Sequence, residues 1–334
     1  MRIVMMGTGM FAEPTFEHLL AAGENVVGLV TQPDRDTGNK RGSTRQAGKG
    51  MKTIAAERGI PVVQPESINT PEGVAALRAL QPELMVVAAY GQILSNEVIT
   101  TPTVGTINVH ASLLPKYRGA APVAYAILNG ETTTGVTIIK VTPGLDSGDM
   151  ILQESLDILP TDTTGTLEAR LADVGAKLAV EAVRLYKAGP VEGMKQDPAL
   201  VTKAPKIKKE RGLIDWNQPA ETIVNHVRAM QPWPTAYTFL HRPGKEPMRV
   251  MIVTANNYLA IGMPSSEASP PAGKLVANLP FGNERLPLTV YCGGWQLLMV
   301  QELQPAGRKK MTAEEFLRGY PVVEGMRFGP EVLS

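Results

Sequence analysis

The strongest candidates for chemistry lie in the stretch INVHASLLPKYRGAAPVAY, residues 107–125. It contains His110, one of four histidines in the chain, and Asn108 two residues before it. Side chains two residues apart on a strand point to the same face, so we expect this amide and this imidazole side by side. An amide can stabilise an oxyanion, and an imidazole exchanges protons near neutral pH. The alternative is a structural histidine at the end of a buried strand.

A second polar loop, PGLDSGD, follows a later strand-like run and contains Asp146 and Asp149. Either carboxylate can orient the imidazole of His110 or stabilise its charged form. An Asn, His and Asp trio without an obvious nucleophilic Ser or Cys favours acyl transfer by direct attack of the acceptor. The alternative is that the aspartates only form a turn beside the two glycines of the loop.

The N-terminal segment GTGMFA, Gly7–Ala12, fits the dinucleotide-binding pattern G-x-G-x-x-A between a strand and a helix. Asp34 follows the next strand region, as the pattern requires. The alternative is a tight turn from strand to helix, which favours glycine in any such sheet. The β-rich second half of the chain does not resemble a second catalytic domain for hydride transfer. The motif therefore supports the fold more than it supports NAD binding.

Strand-like and helix-like segments alternate along the first part of the chain. The predicted strands are Arg2–Gly7, Asn25–Thr31, Ile60–Gln64, Leu84–Ala89, Gly105–His110, Gly135–Val141 and Asp149–Leu156. The predicted helices are Phe11–Ala22, Lys52–Arg58, Pro71–Leu80, Ala120–Leu128 and Leu167–Ala188. This alternation predicts an α/β fold with a Rossmann-like, mostly parallel open sheet and helices on both faces.

The character of the sequence changes after about residue 190. We predict a catalytic domain over residues 1–189, a linker rich in Pro, Gly and Lys over 190–211, and a C-terminal domain over 212–334. A helix is predicted over Ile214–Met230, and the short β-like runs after it predict a small β-barrel, similar to an OB fold. Trp233 is expected to pack the helix end against this barrel, and Cys292 is expected in its core.

Composition limits the classes of function. The chain has 334 residues and a formal net charge of +1, so any nucleic-acid site must be a local basic patch. The single cysteine excludes an internal disulfide framework and a thiolate metal cluster, and it fits a reducing cytoplasm. The N-terminus reads as a strand and not as a signal peptide, and no apolar run is long enough for a membrane span. We therefore expect a globular cytoplasmic protein without a metal.

Several of these motifs together resemble the folate-dependent formyltransferases. INVHASLLPKYRGAAP, followed by GLDSGDM, is similar to the catalytic region of that family. GTGMFAEPTFEHLL, VVGLVTQPDR and VVAAYGQIL resemble other segments of the same domain. IDWNQPAETIVNHVRAMQPWPTAY and LQPAGRKKMTAEEFLRG are similar to the C-terminal domain of members that act on tRNA. The resemblance therefore covers nearly the whole chain.

The resemblance implies a site and a reaction. It implies 10-formyltetrahydrofolate as the formyl donor and the α-amine of methionyl initiator tRNA as the acceptor. We also expect a monomer, and no metal, since no His or Cys spacing suits one. The pterin ring would lie against Tyr90–Leu94 and Val141–Asp146. The implied catalytic residues are Asn108, His110 and Asp146, and the implied folate contacts are Ser112, Leu113, Leu114 and Pro115.

Basic clusters supply candidate tRNA contacts, because phosphates are bound through lysine and arginine. The candidates are Lys40, Arg41 and Arg45 in the loop over residues 33–52, and Lys206, Lys208 and Lys209 in the linker. The alternative is that these runs are ordinary solvated surface. The resemblance implies that the loop grips the acceptor stem. Its sequence, RDTGNKRGSTRQAGKGMK, departs from the family pattern in lacking a proline after the first arginine.

Three other functions remain open at this level. A formyltransferase for an amino sugar nucleotide would share the catalytic trio. An NAD-dependent dehydrogenase would rest on GTGMFA alone. A non-catalytic tRNA-binding protein would not require the Asn, His and Asp trio. The basic loop and the C-terminal motifs favour the tRNA substrate.

Overall fold

The computed structural model describes residues 1–34, 50–258, 270–281 and 284–333. Two compact units divide the chain. The first comprises Met1–Tyr125, Thr132–Leu159 and Gly165–Lys206, and the second comprises Ala126–Glu131, Pro160–Thr164 and Ile207–Ser334. The segment predicted as a linker, residues 190–211, is thus shared between both units.

The first unit contains a seven-stranded sheet with the strand order β3-β2-β1-β4-β5-β6-β7. The five strands from β3 to β5 are parallel, whereas β6 and β7 run antiparallel to their neighbours. The prediction of a mostly parallel sheet is confirmed. Its strands are β1 Ile3–Gly7, β2 Val26–Val30, β3 Val62–Val63, β4 Leu84–Ala88, β5 Gly105–His110, β6 Thr133–Lys140 and β7 Met150–Asp157.

Helices alternate with these strands as predicted. In the longest helix, the regularly spaced residues Leu167, Leu171 and Leu178 are buried, which is the amphipathic pattern seen in the sequence. Every residue of β1 and β4 is buried, as expected for central parallel strands covered on both faces. The helices are α1 Glu13–Ala21, α2 Met51–Glu57, α3 Pro71–Ala79, α4 Asn96–Ile99, α5 Pro122–Leu128 and α6 Thr164–Ala188.

The GTGMFA turn between β1 and α1 is explained by packing. A Cβ on Gly7 would lie 2.6 Å from the Cβ of Ala12 and 2.7 Å from the carbonyl oxygen of Ala88. Gly9 has a backbone φ of 79°, which residues other than glycine rarely adopt. The glycines are therefore required by the turn itself, without a dinucleotide.

The second unit is built on an antiparallel sheet with the strand order β10-β11-β12-β9-β8-β14, and β13 pairs with β12. A bridge between Lys274 and Arg327 connects the two ends of this order, so the sheet closes into a barrel as predicted. Its elements are α7 Ala220–Ala229, β8 Tyr237–Arg242, β9 Lys245–Tyr258, β10 Leu275–Phe281, β11 Glu284–Tyr291, β12 Leu297–Pro305, β13 Met311–Thr312, α8 Ala313–Gly319 and β14 Arg327–Gly329.

Two expectations for this unit need correction. The helix predicted from residue 214 begins only at Ala220, after Pro219, because the backbone of Ile214 instead bonds to that of Tyr237. The expectation that Trp233 packs is wrong, since its side chain is 53% exposed at the tip of a turn. Cys292 is buried as expected, and burial raises the pKa of its thiol to about 12.

None of the helices in the described ranges combines the length and the apolarity that crossing a bilayer demands.

Candidate active site

His110 is the last residue of β5 and is only 5% exposed. Its Nε2 lies 3.0 Å from the backbone carbonyl oxygen of Tyr117. Since a carbonyl can only accept, Nε2 carries a proton and donates it to this bond. Tyr117 has a left-handed φ of 63° in the turn that follows the SLLP segment. This contact fixes the ring and leaves Nδ1 as the nitrogen that can exchange a proton.

Asp146 faces that free nitrogen. Its Oδ2 lies 3.7 Å from Nδ1 of His110 and accepts a hydrogen bond of 2.8 Å from the backbone N–H of Gly119. The side chains of the pair are 6% and 14% exposed, so water screens their interaction weakly. A separation of 3.7 Å is too long for a direct hydrogen bond. It fits an ion pair that a water molecule or a substrate amine can bridge.

Asn108 completes the predicted trio on β5. Its backbone pairs with Val87 on one side and Ile139 on the other, so the sheet fixes its position. Strand alternation directs its half-buried side chain to the same face as that of His110. The site therefore presents an amide, an imidazole and a carboxylate, which are suited to oxyanion stabilisation and proton transfer.

The loop that bears Asp146 reaches the site by doubling back. Because β6 is antiparallel to β5, it ends beside the beginning of β5, where the N–H of Val141 donates to the carbonyl of Thr106 at 2.8 Å. The loop must then return along β5 to meet His110. Asp146 adopts a left-handed φ of 47° in this reversal. A Cβ on Gly148 would lie only 1.8 Å from the carbonyl oxygen of Lys140.

Gly148→Ala should therefore displace the loop. The carbonyl oxygen of Lys140 belongs to the backbone of β6 and cannot move aside, so we expect the Asp146 carboxylate to shift and kcat to fall about 10²-fold. Initial rates of the reaction that the resemblance implies, at saturating substrates, measure the effect. The matched control is Gly144→Ala, whose Cβ would meet mainly the Ser147 hydroxyl at 2.3 Å, which can rotate away. Equal rates for both variants would contradict this account of the loop.

The segment Ser112–Pro115 is tied down by hydrogen bonds. The hydroxyl of Thr137 donates to the carbonyl of Ser112 at 2.6 Å and accepts from the N–H of Leu114 at 3.1 Å. Gln153 donates to the Leu114 carbonyl at 3.0 Å. The side chains of Ser112 and Leu114 are buried, whereas Leu113 and Pro115 are partly exposed. The segment is thus rigid and offers a ligand mainly its second and fourth residues.

Exposed apolar side chains occur in both segments implied to contact a pterin ring. Ile93 is 79% exposed and Leu145 is 64% exposed. Tyr90, in contrast, is buried, and burial raises the pKa of its hydroxyl to about 12. Its carbonyl accepts a hydrogen bond of 3.0 Å from Gln32. Ile93 and Leu145 therefore offer exposed apolar surface to a flat ligand.

The candidate tRNA contacts fall into two groups. Lys40, Arg41 and Arg45 lie outside the described residues. Lys206 ends the first unit, and Lys208 and Lys209 belong to the second, and all three side chains are exposed. Across the part of the chain that the structure describes, no cluster of His, Cys, Asp and Glu has the makeup of a metal site.

Sequence reasoning missed two residues that contact the site. Gln196 and Arg118 are hydrogen-bonded to each other, and Gln196 also bonds to the backbone of the Asp146 loop. Gln196 lies in the segment predicted as a linker, where its neighbours show no periodic pattern. The family resemblance chose Asp146 but did not indicate that Gln196 bonds to the loop that carries it.

The mostly parallel open sheet with its NVH strand end and the closed C-terminal barrel are the features expected of a formyltransferase. Residues 1–183 match the family described as "Formyl transferase", and residues 206–321 match "Formyl transferase, C-terminal domain". The chain belongs to the formyl transferase family. This confirms the predicted class of enzyme and decides against the dehydrogenase.

Individual relatives have more specific names than the family. The chain is 44% identical to the methionyl-tRNA formyltransferase of Moorella thermoacetica, over 98% of this chain and 99% of the relative. It is 42% identical to the protein of the same name from Bacillus licheniformis, over 98% of each chain. Among solved structures it resembles an N-formyltransferase from Helicobacter canadensis in complex with folinic acid and dTDP-3-aminofucose. That likeness, with a TM-score of 0.62, 17% identity and coverage of 90% and 98%, concerns the fold.

Proposed function

We propose that this chain transfers the formyl group of 10-formyltetrahydrofolate to the α-amine of methionyl initiator tRNA in the cytoplasm, as a monomer that uses no metal. The observation that carries the proposal is the pairing of His110 with Asp146 at 3.7 Å beside Asn108. Similarity to methionyl-tRNA formyltransferases along nearly the full chain supports the acceptor. In this proposal residues 1–189 form the catalytic domain, 190–211 the linker, and 212–334 the barrel that assists tRNA binding.

The reaction is an acyl transfer by direct attack. The neutral amine of the methionyl group attacks the formyl carbon, and the carbonyl oxygen becomes an oxyanion in a tetrahedral intermediate. The amide of Asn108 donates a hydrogen bond to that oxygen. The bond between the formyl carbon and N10 of the folate then breaks. The products are the formylated amine and tetrahydrofolate.

Proton transfer is assigned to Nδ1 of His110. Nε2 is committed to the Tyr117 carbonyl, so only Nδ1 can take the proton that the attacking amine loses and pass a proton to the leaving N10. The Asp146 carboxylate stabilises the imidazolium that forms between these two steps. At 3.7 Å from Nδ1, its Oδ2 is near enough for the amine or a water beside the pair to bond both atoms.

Folate binding is assigned to the rigid segment Ser112–Pro115 and to the exposed apolar side chains Ile93 and Leu145. Leu113 and Pro115 supply partly exposed apolar contacts. Hydrogen bonds to Thr137 keep the segment in one conformation before the ligand arrives, which lowers the entropic cost of binding.

One assay tests the proposed function against its alternatives. Radiolabelled formyl transfer from 10-formyltetrahydrofolate is measured with methionyl initiator tRNA and, in parallel, with a dTDP-linked amino sugar. We expect label to reach the tRNA alone, and a separate titration to show no NAD binding. Label on the amino sugar and none on the tRNA would assign the chain to the sugar-modifying alternative. Binding of tRNA without any transfer would indicate the non-catalytic one.

The basic loop is assigned to the tRNA acceptor stem. Replacing Arg41 and Arg45 together with alanine is expected to raise the KM for methionyl-tRNA about tenfold and to leave the KM for folate unchanged. The effect should shrink as salt rises, because phosphate contacts are screened. The matched control removes two exposed charges from α6, Lys177 and Arg184. An equal change in both KM values would count against the assignment.

A further inference from the structure

The chain that follows α6 folds back along the catalytic loops of the first unit. Met150 and Met194 exchange two backbone hydrogen bonds of 2.8 Å. The N–H of Arg118 donates to the carbonyl of Thr202 at 2.9 Å, and the N–H of Ala204 donates to the carbonyl of Arg118 at 2.7 Å. This stretch, residues 194–204, is therefore fixed beside the site by its backbone before any side chain is considered.

Both polar atoms of the Gln196 side-chain amide make hydrogen bonds in this stretch. Its Nε2 donates to the carbonyl oxygens of Asp146 and Gly148, each at 2.8 Å. Its Oε1 accepts from Nε and Nη2 of Arg118 at 2.9 and 2.7 Å. Since the guanidinium can only donate, it requires the amide oxygen on its own side and turns the NH₂ group toward the loop. The orientation of the amide is thus determined by chemistry.

The turn around Arg118 contacts both members of the proposed catalytic pair. The carbonyl of Tyr117 accepts from His110, and the N–H of Gly119 donates to the Asp146 carboxylate. The N–H of Tyr117 in turn donates to the hydroxyl of Thr202 at 2.8 Å. Arg118 therefore links the turn that holds the two side chains to the amide that holds the backbone of the loop.

We propose that Gln196 and Arg118 are positioning residues that set the Asp146 carboxylate against Nδ1 of His110. This inference rests on the proposed function, since it assigns the catalytic roles to that pair. The loop must double back and holds Asp146 at a left-handed φ of 47°, so it needs contacts that stabilise the reversal. The two donors of Gln196 lie at the two carbonyls on either side of Ser147, where the reversal occurs.

Gln196→Glu is the sharpest test. Glutamate keeps the size of the side chain and its contact with Arg118, but it replaces the two donors with an oxygen that faces two carbonyl oxygens. We expect kcat to fall about 10²-fold, because the loop is displaced, with the KM for methionyl-tRNA unchanged. Gln196→Met, which is neutral and of similar length, should lower kcat in the same direction and replaces the glutamate variant if that variant does not fold.

The matched control is Gln304→Glu in the second unit. Gln304 also donates a side-chain N–H to a backbone carbonyl, that of Arg308 at 2.9 Å. We expect its kcat to equal that of the wild type. A wild-type kcat in Gln196→Glu and in Gln196→Met would overturn the inference.

A double-mutant cycle separates positioning from a general contribution to folding. In the Asp146→Asn background the carboxylate that Gln196 is proposed to position is absent, so adding Gln196→Met should cause no further loss of kcat. If Gln196 only stabilised the fold, its loss would add to that of Asp146→Asn. Additive losses would therefore overturn the inference.

The ring signals of His110 provide a readout that does not depend on the substrate. Imidazole NMR signals of His110 are assigned by their disappearance in His110→Ala. We expect Gln196→Met to move them toward their positions in Asp146→Asn, and Gln304→Glu to leave them in place. Unchanged signals in Gln196→Met would overturn the positioning role. Absence of formyl transfer in the wild type would instead overturn the proposed function and leave this readout standing.

Discussion

His110→Ala is expected to lower kcat for formyl transfer about 10²–10⁴-fold, the range found when a general acid–base group is removed. The ring has one nitrogen bonded to the Tyr117 carbonyl and the other facing Asp146 at 3.7 Å. In the proposed mechanism, its loss removes both the proton acceptor for the attacking amine and the donor for the leaving folate nitrogen. Single-turnover rates with saturating folate and methionyl-tRNA measure the chemical step directly.

The control for His110→Ala is His241→Ala. His241 also has its Nε2 near a backbone carbonyl, that of Pro330 at 2.7 Å, but it lies in the second unit. If losing a hydrogen bond between an imidazole and a carbonyl were enough to lower kcat, His241→Ala would lower it too; such a bond contributes about 1 kcal/mol to the free energy of unfolding. We expect only His110→Ala to lose activity. A kcat of His110→Ala within about fivefold of the wild-type value would show that His110 is not part of the mechanism.

The strand that carries the site could be predicted from the sequence. The strand predicted over Gly105–His110 coincides with β5, because the apolar run ends at a polar residue and is followed by a loop with proline. The shared face of Asn108 and His110 followed from the alternation of side chains along a strand. These features depend only on nearby residues in the sequence, so they can be predicted without knowing the tertiary structure.

The approach of Asp146 to His110 could not be predicted in the same way. The run predicted as Gly135–Val141 is β6, and all but the ends of this strand are buried. A strand buried on both faces reads alike whether it runs parallel or antiparallel. The direction of β6 determines at which end of the sheet's strands the loop after it begins. The polar loop after this strand offered Asp146 and Asp149 equally, and only the family resemblance chose Asp146.

The role of Gln196 was also beyond the sequence pattern. Its neighbourhood is rich in proline, glycine and lysine, a composition typical of a surface linker. The stretch is fixed partly by the hydrogen bonds of the Gln196 side chain to Arg118, Asp146 and Gly148, and such bonds have no periodicity. Propensity and hydrophobic patterning describe regular elements and do not report which loops meet.

Asn108→Ala is expected to lower kcat about 10²–10³-fold, the typical loss when one oxyanion donor is removed. The KM for both substrates should stay close to that of the wild type, because the proposed hydrogen bond would strengthen only as charge develops on the formyl oxygen. The backbone of Asn108 is held by strands on both sides, so the fold should tolerate the truncation. Initial rates and thermal unfolding of the same preparation check both points.

Asn108→Asp distinguishes oxyanion stabilisation from packing. Aspartate has nearly the volume of asparagine. If Asn108 served only in packing, Asn108→Asp would therefore lower kcat much less than Asn108→Ala. A carboxylate repels a developing oxyanion and has no N–H to offer, so a donor role makes it at least as damaging as alanine. Asn225→Ala, which removes a buried amide that accepts a hydrogen bond from Arg228 in the second unit, controls for a general loss of stability. If aspartate restores the rate that alanine loses, Asn108 fills space and the oxyanion is stabilised elsewhere.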